Sequence, residues 1–280
     1  MIIGQQNNRF LQRVNPELAR AKADGGSSND HPEIQRLMRQ MVDMGIADDL
    51  KLWVHSGLVK ERVSGADVFA EKGYDISGFE NDGLQATTSE QPQLNDGLLF
   101  DGTNDWLNHG NDNSLRNLDD DVSWSIWFNA AGAGTNRTIF SKWFANNNER
   151  TWMLRLQANG TFSFWISSNG TLGSGSFGRW ISIPSYDDSS WHYLTVNYLS
   201  ANTPSCSMFV DGVDVSIDVI SSHSGSIFRS SAEISMGTQS QTSASRQNFW
   251  NGNMDDWRIM KALTLSQHTE IYNGTKDNYI

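Results

Sequence analysis

The chain has 280 residues, 11% aromatic and 19% charged, with a formal net charge of −11. That acidity excludes the phosphate backbone of a nucleic acid as partner, because repulsion acts before contacts form. A lone cysteine, Cys206, excludes an intrachain disulfide and reads as a small buried hydrophobe, and no run approaches the roughly 20 apolar residues of a membrane span.

Residues 1–47 read as an N-terminal helical arm, distinct from a body at 48–280. The acid excess belongs to the body: residues 1–62 hold nine Lys/Arg against eight Asp/Glu. Met1–Arg9 lacks an apolar run of signal-peptide length, which predicts that a standard signal does not export the protein. Asn15-Pro16, followed by Leu18, Ala19, Ala21 and Ala23, predicts a short first helix. Gly25–Asn29 is a flexible break. Pro32 opens a clearer helix, about 32–44, in which Ile34, Leu37, Met38, Met41 and Val42 make one apolar stripe. So short a stripe does not hold an isolated helix, so it must pack on its own domain or on a partner. We expect a docking arm with these five residues as assembly contacts, so deleting residues 1–47 is expected to leave a folded sandwich.

After Asp48 the pattern changes to short alternating runs between Gly, Asn, Asp and Ser clusters. Leu50–Val54, Trp124–Phe128, Thr151–Leu156, Thr161–Ile166, Tyr193–Tyr198 and Cys206–Val210 read as strands. Asn159-Gly160 and Asp211-Gly212 are tight-turn signals. The pattern predicts an all-β, two-sheet antiparallel sandwich or barrel.

Several phrases follow one another in order: Asp75-Ile-Ser-Gly-Phe-Glu-Asn-Asp-Gly83, Leu99-Phe-Asp-Gly-Thr-Asn-Asp-Trp-Leu107, Val122–Phe128, Trp191-His192 with Leu194 and Val196, Phe209-Val-Asp-Gly212, and Gly252-Asn-Met-Asp-Asp-Trp-Arg-Ile259 followed by Ala262-Leu263-Thr264. This order resembles the laminin-G-like branch of the concanavalin A-like jelly rolls over roughly residues 48–275. The resemblance implies a two-sheet jelly roll, a fold that hosts lectins, glycanases and structural modules. It also implies a structural Ca²⁺ held by Asp101, Asp105 and Asp255 or Asp256, since Ca²⁺ takes several hard oxygen ligands.

No catalytic residue is assigned. Glycanases on this fold place two carboxylates across the sugar, and the E-x-D-x-x-E phrase is absent. After residue 100 the only glutamates are Glu149, Glu233 and Glu270, without a partner at strand spacing. His192 reads as a sandwich histidine bonded to backbone. Glycan binding needs exposed aromatics on loops or on an open sheet. Trp143, Phe144, Trp180, Phe249 and Trp250, beside Asn/Ser/Gly-rich segments, are the candidates.

The expected function is a non-enzymatic virion component, a capsid decoration, head fibre or tail-associated subunit. The missing disulfides and signal favour it, and Leu50–Val54 resembles a phrase of bacteriophage structural proteins. The expected partners are other virion proteins through the arm, further copies of the chain, and a host-surface glycan. A free extracellular lectin is the alternative, and a glycoside hydrolase is third.

Overall fold

The structure, a computed structural model, describes residues 3–24, 32–118, 121–132, 134–200 and 204–280. The Gly25–Asn29 break lies outside the described residues. The helices are α1 (Ile3–Ala23), α2 (Pro32–Asp43), the single turn α3 (Asn113–Arg116) and α4 (Leu265–Thr275). The main strands, in chain order, begin with β1 (Leu50–Ser64), β2 (Asp67–Asp75), β3 (Leu98–Asp101), β4 (Val122–Ala130), β5 (Arg137–Phe144) and β6 (Glu149–Leu156). They continue with β7 (Thr161–Gly170), β8 (Phe177–Ser185), β9 (Trp191–Leu199), β10 (Ser205–Val210), β11 (Ile217–Ser221), β12 (Ile234–Met236) and β13 (Asn251–Lys261).

The front sheet runs β10–β9–β4–β13–β1–β2, all antiparallel. The back sheet runs β11–β8–β7–β6–β5–β12, also antiparallel. Short pairings join the two along one side: Ser235 with Asn108, Asn108 with Leu84, and Leu84 with Lys72. This is the expected jelly-roll sandwich. Between the sheets lie Trp124, Ile126 and Phe128 of β4, Trp152 and Leu154 of β6, and Phe162, Phe164 and Ile166 of β7. Trp124 packs on Trp152 and Phe164 with ring centroids 5.4 and 5.0 Å away. Side chains alternate across a strand, so every second apolar residue faces this core.

The front sheet is buried on its other face too. Trp53, Trp127, Tyr193 and Met260 point outward into a second core completed by α1, α2 and α4. β4 is therefore buried almost from end to end, Ser123 and Ser125 included, because it carries a core on each side. Phe10, Val14, Leu18 and Ala21 make the inner stripe of α1. That helix is longer than the short one expected at Asn15-Pro16. Pro16 lies inside it and exposed. The missing N–H and ring clash cost about 3 kcal/mol, and burial of the stripe offsets that.

The stripe of α2 is where the docking-arm expectation fails. Ile34, Leu37, Met38 and Met41 are buried within the chain's own second core, and Val42 packs partly against it. These residues are therefore unavailable as assembly contacts. A stripe predicts only that a helix must pack, and the nearest apolar surface is the front sheet of the same chain. Polar contacts fix the placement: Gln40 donates to the Glu270 carbonyl of α4 at 2.7 Å, and Arg20 of α1 donates to Asp82 at 2.9 Å.

The Asp75–Gly83 phrase wraps around one carboxylate. Asp75 is fully buried and accepts the N–H groups of Trp53 at 2.9 Å, Ser77 at 2.9 Å and Asn81 at 3.0 Å, and the Ser77 hydroxyl at 2.8 Å. Asp211 and Gly212, both at positive φ (53° and 76°), make the tight turn after β10. Thr264 caps α4 through a capping box with Gln267.

Candidate functional site

The phrase Leu99–Leu107 runs between two clefts at the rim of the sandwich. One, of about 450 Å³, is lined by Phe69, Thr88, Gln93, Asp101, Asp105 and Asn251 among others. The other, of about 570 Å³, takes in Lys72, Asp82, Gln85, Trp106, Asn108 and His109. The register Asn251↔Asp101 between β13 and β3 brings the polar side chains of the first cleft to one place.

Its geometry starts from Asp101. One carboxylate oxygen accepts the N–H of Thr103 at 2.8 Å and of Asn104 at 3.1 Å, closing a turn in which Gly102 has φ +76°. A Cβ at Gly102 would lie 2.8 Å from Asn251 Cβ, so glycine lets the turn close on β13. Asp105 accepts the Asp101 N–H at 3.0 Å. Burial, then the charge of Asp101, raises the Asp105 carboxyl to about 7, so near neutral pH it holds a proton about half the time. Arg62 lies 4.4 Å over the Phe69 ring and orders that wall. The cleft thus offers amides, hydroxyls and carboxyls around one aromatic ring.

Of the acids expected to hold a cation, Asp101 and Asp105 share the cleft, but neither Asp255 nor Asp256 joins them. Asp255 lies four residues along β13 from Asn251, the partner of Asp101, roughly 13 Å at strand rise. It accepts the backbone N–H of Ser56 at 2.7 Å and its hydroxyl at 2.6 Å. Asp256 accepts Trp53 Nε1 at 2.7 Å and pairs with Arg258. Among the described residues no three acidic, His or Cys side chains gather as an ion site. The residues present do not fit the implied Ca²⁺: two of the acids serve a buried network, and Asp105 faces its neighbour's backbone.

Most of the aromatic candidates are not on the surface. Trp180 and Trp250 belong to the core between the sheets. Trp143 and Phe144 are also buried, and Phe249 is half-buried. Loop-like neighbours in sequence misled here, because Trp180 sits mid-strand opposite Phe164 and shares its inward parity. The outward aromatic is Trp165, missed although Phe162, Phe164 and Ile166 fix the inward parity of β7 and leave Trp165 on the other face.

His192 is bonded to carboxylates, not to backbone. Its Nδ1 lies 2.7 Å from Asp211 and its Nε2 3.1 Å from Asp188. Burial lowers its pKa, but the bonds and charges of Asp211 and Asp188 outweigh that and leave it raised. A raised histidine stabilises the fold below its unfolded pKa of about 6.5 and loses that contribution as pH rises through its folded value. The melting-temperature gap between wild type and His192→Gln is therefore expected to narrow above pH 6.5. A gap that stays constant from pH 6 to 9 contradicts this account.

With this geometry in view, residues 101–268 match the family model of the Concanavalin A-like lectin/glucanases superfamily, laminin G type. The chain belongs to this family. No curated protein matches it. The laminin-G-type chain is also similar in fold to solved binding domains. The binding domain of Paraclostridial Mosquitocidal Protein 1 aligns with 15% identity and a TM-score of 0.54, over 81% of this chain and 52% of that one. The botulinum neurotoxin serotype D ligand binding domain, solved in complex with N-acetylneuraminic acid, aligns with 14% identity and a TM-score of 0.54, over 82% and 52%. The laminin-G-type chain thus spans about half the length of these structures, and at such identity the likeness concerns the fold.

Proposed function

We propose that this laminin-G-type jelly roll is a non-enzymatic, lectin-like module that binds a saccharide in the rim cleft lined by Asp101. The observation that carries the reading is the composition of that cleft. Sugar hydroxyls both donate and accept, and Gln93, Asp101, Asn251 and Thr88 meet them with both kinds of group around Phe69. The second oxygen of Asp101 takes no bond from the described residues, which leaves it for a ligand hydroxyl. Asp105, buried and bonded to the Asp101 N–H, is not poised across a glycosidic bond as an acid–base partner. Solved relatives named as binding domains support the same class.

The setting we propose is a virus particle, with the module as a capsid- or tail-associated subunit and a host-surface glycan as ligand. An acidic body with one buried, unpaired cysteine supports a fold completed without oxidation. A glycan array tests the binding. Asp101→Ala is expected to weaken the best hit about tenfold, the loss of one or two hydrogen bonds. An array without hits, or an unchanged affinity in the variant, sinks the cleft assignment. Mass spectrometry of purified particles tests the setting, and absence of the chain from them refutes it.

A further inference from the structure

The outer face of the back sheet carries a second cluster, remote in character from the rim cleft. Trp165 of β7 lies half-buried between two arginines from neighbouring strands. Arg179 of β8, its direct cross-strand partner, has its guanidinium 4.4 Å from the Trp165 ring, and Arg155 of β6 has its own at 5.7 Å. Phe177 stacks on Trp165 at 5.8 Å, and Trp143 meets its edge at 6.3 Å. Arg150 lies 5.8 Å over Trp143 and extends the row.

Three features describe this row. First, the acceptors it uses are neutral: Arg179 donates to Ser163 Oγ at 3.1 Å and to Gln157 Oε1 at 2.8 Å, and Arg150 to Asn148 Oδ1 and two carbonyls. Among the described residues none of the three arginines forms an ion pair, in a chain with 32 acids against 21 bases. Second, the side-chain donors Arg155 Nε, Arg150 Nε and Trp165 Nε1 are buried without an acceptor in the protein. Buried donors left unbonded are costly, and Arg137 and Arg246 carry others elsewhere in the fold. Third, the positive charges are crowded: burial, then the charge of Arg179, pulls the Arg155 guanidinium below its ordinary value. Guanidinium groups crowded on one face without an acidic partner are complementary to a planar anion, which they take through two parallel bonds.

We propose that this sheet face is a binding site for an acidic saccharide, whose carboxylate is taken by Arg155 and Arg179 while its ring lies along Trp165 and Phe177. A carboxylated sugar suits the face better than a nucleic acid, because two forked guanidinium groups beside an aromatic ring match one carboxylate on a sugar ring. The site is independent of the rim cleft.

The test is affinity electrophoresis of the full chain through gels holding polygalacturonate, polysialic acid or hyaluronate. Each is run beside its carboxyl-reduced neutral counterpart, with dextran sulfate as the control for charge alone. At least one carboxylated polymer is expected to retard the chain, and its reduced form to have no effect. Arg155→Gln with Arg179→Gln is expected to weaken retardation about tenfold or more, as charge-assisted bonds are lost. Asp101→Ala is expected to leave it unchanged, which separates this face from the cleft. Arg155→Lys with Arg179→Lys keeps the charge but not the fork and is expected to recover only part of the binding. Near-UV circular dichroism checks each fold, and the single Arg155→Gln variant serves if the double one does not fold. The proposal is overturned if no carboxylated polymer retards the chain, or if the reduced polymer or dextran sulfate retards it equally. It is likewise overturned if a folded glutamine variant keeps full retardation.

Discussion

Truncation to residues 48–280 is expected to yield a chain that aggregates or stays unfolded. The reason is the second core. α1 and α2 contribute Phe10, Val14, Leu18, Ile34, Leu37, Met38 and Met41, none more than 4% exposed. Fully burying a large apolar side chain is worth about 1.5–3 kcal/mol. Seven of them, discounted for compactness of the unfolded chain, come to about 10 kcal/mol. A whole domain is stable by only about 5–15 kcal/mol. Removing the helices would also uncover apolar residues of β1 and β2, against which α1 packs, such as Trp53 and Tyr74, a patch that invites association. Size-exclusion chromatography and urea unfolding of the truncated chain check this. A monomer that unfolds cooperatively at the wild-type midpoint refutes it and restores a detachable arm. Leu37→Ala probes the same core in a gentler way, with an expected cost of about 2–5 kcal/mol.

The second large effect is expected at Arg258. This side chain and that of Asp256 are fully buried and paired with each other, and the guanidinium lies 4.9 Å over the Trp53 ring. Asp256 also accepts Trp53 Nε1, and its neighbour Asp255 holds Ser56. Arg258→Ala leaves a buried carboxylate without its counter-charge, a loss of about 3–5 kcal/mol. Replacing both partners, as Asp256→Asn with Arg258→Met, removes the orphaned charge and is expected to recover part of that loss. Thermal and urea unfolding read both variants. A single variant that unfolds within about 0.5 kcal/mol of wild type shows the pair to be dispensable, since that is the range of neutral surface changes.

Both predictions concern residues whose type was plain in the sequence and whose use was not. Ile34, Leu37, Met38 and Met41 announce a helix with one apolar side, which α2 bears out in extent. Periodicity states that such a side must be covered but carries no information on what covers it. Asp255-Asp256 looked like strand-end acids suited to a cation. Pairing register decides otherwise, because it sets Asn251, not Asp255, against Asp101. The aromatic candidates failed for a related reason. Trp180 and Trp250 stand near polar loops in the chain, yet both lie in the core; cross-strand parity turns Trp180 inward, while the same parity in β7 turns Trp165 outward.

What the sequence determined alone was the jelly roll: alternating strands, Asp-Gly turns and a set of ordered phrases leave little freedom, since period-two burial and turn chemistry are local properties. The tertiary structure decided the rest. It folded the helices onto the front sheet as a third layer, placed Asp101 and Asn251 in one cleft, and set Arg155 and Arg179 on either side of Trp165. Each of these outcomes depends on which strand lies beside which, and that pairing is settled by long-range packing, not by any stretch of neighbouring residues.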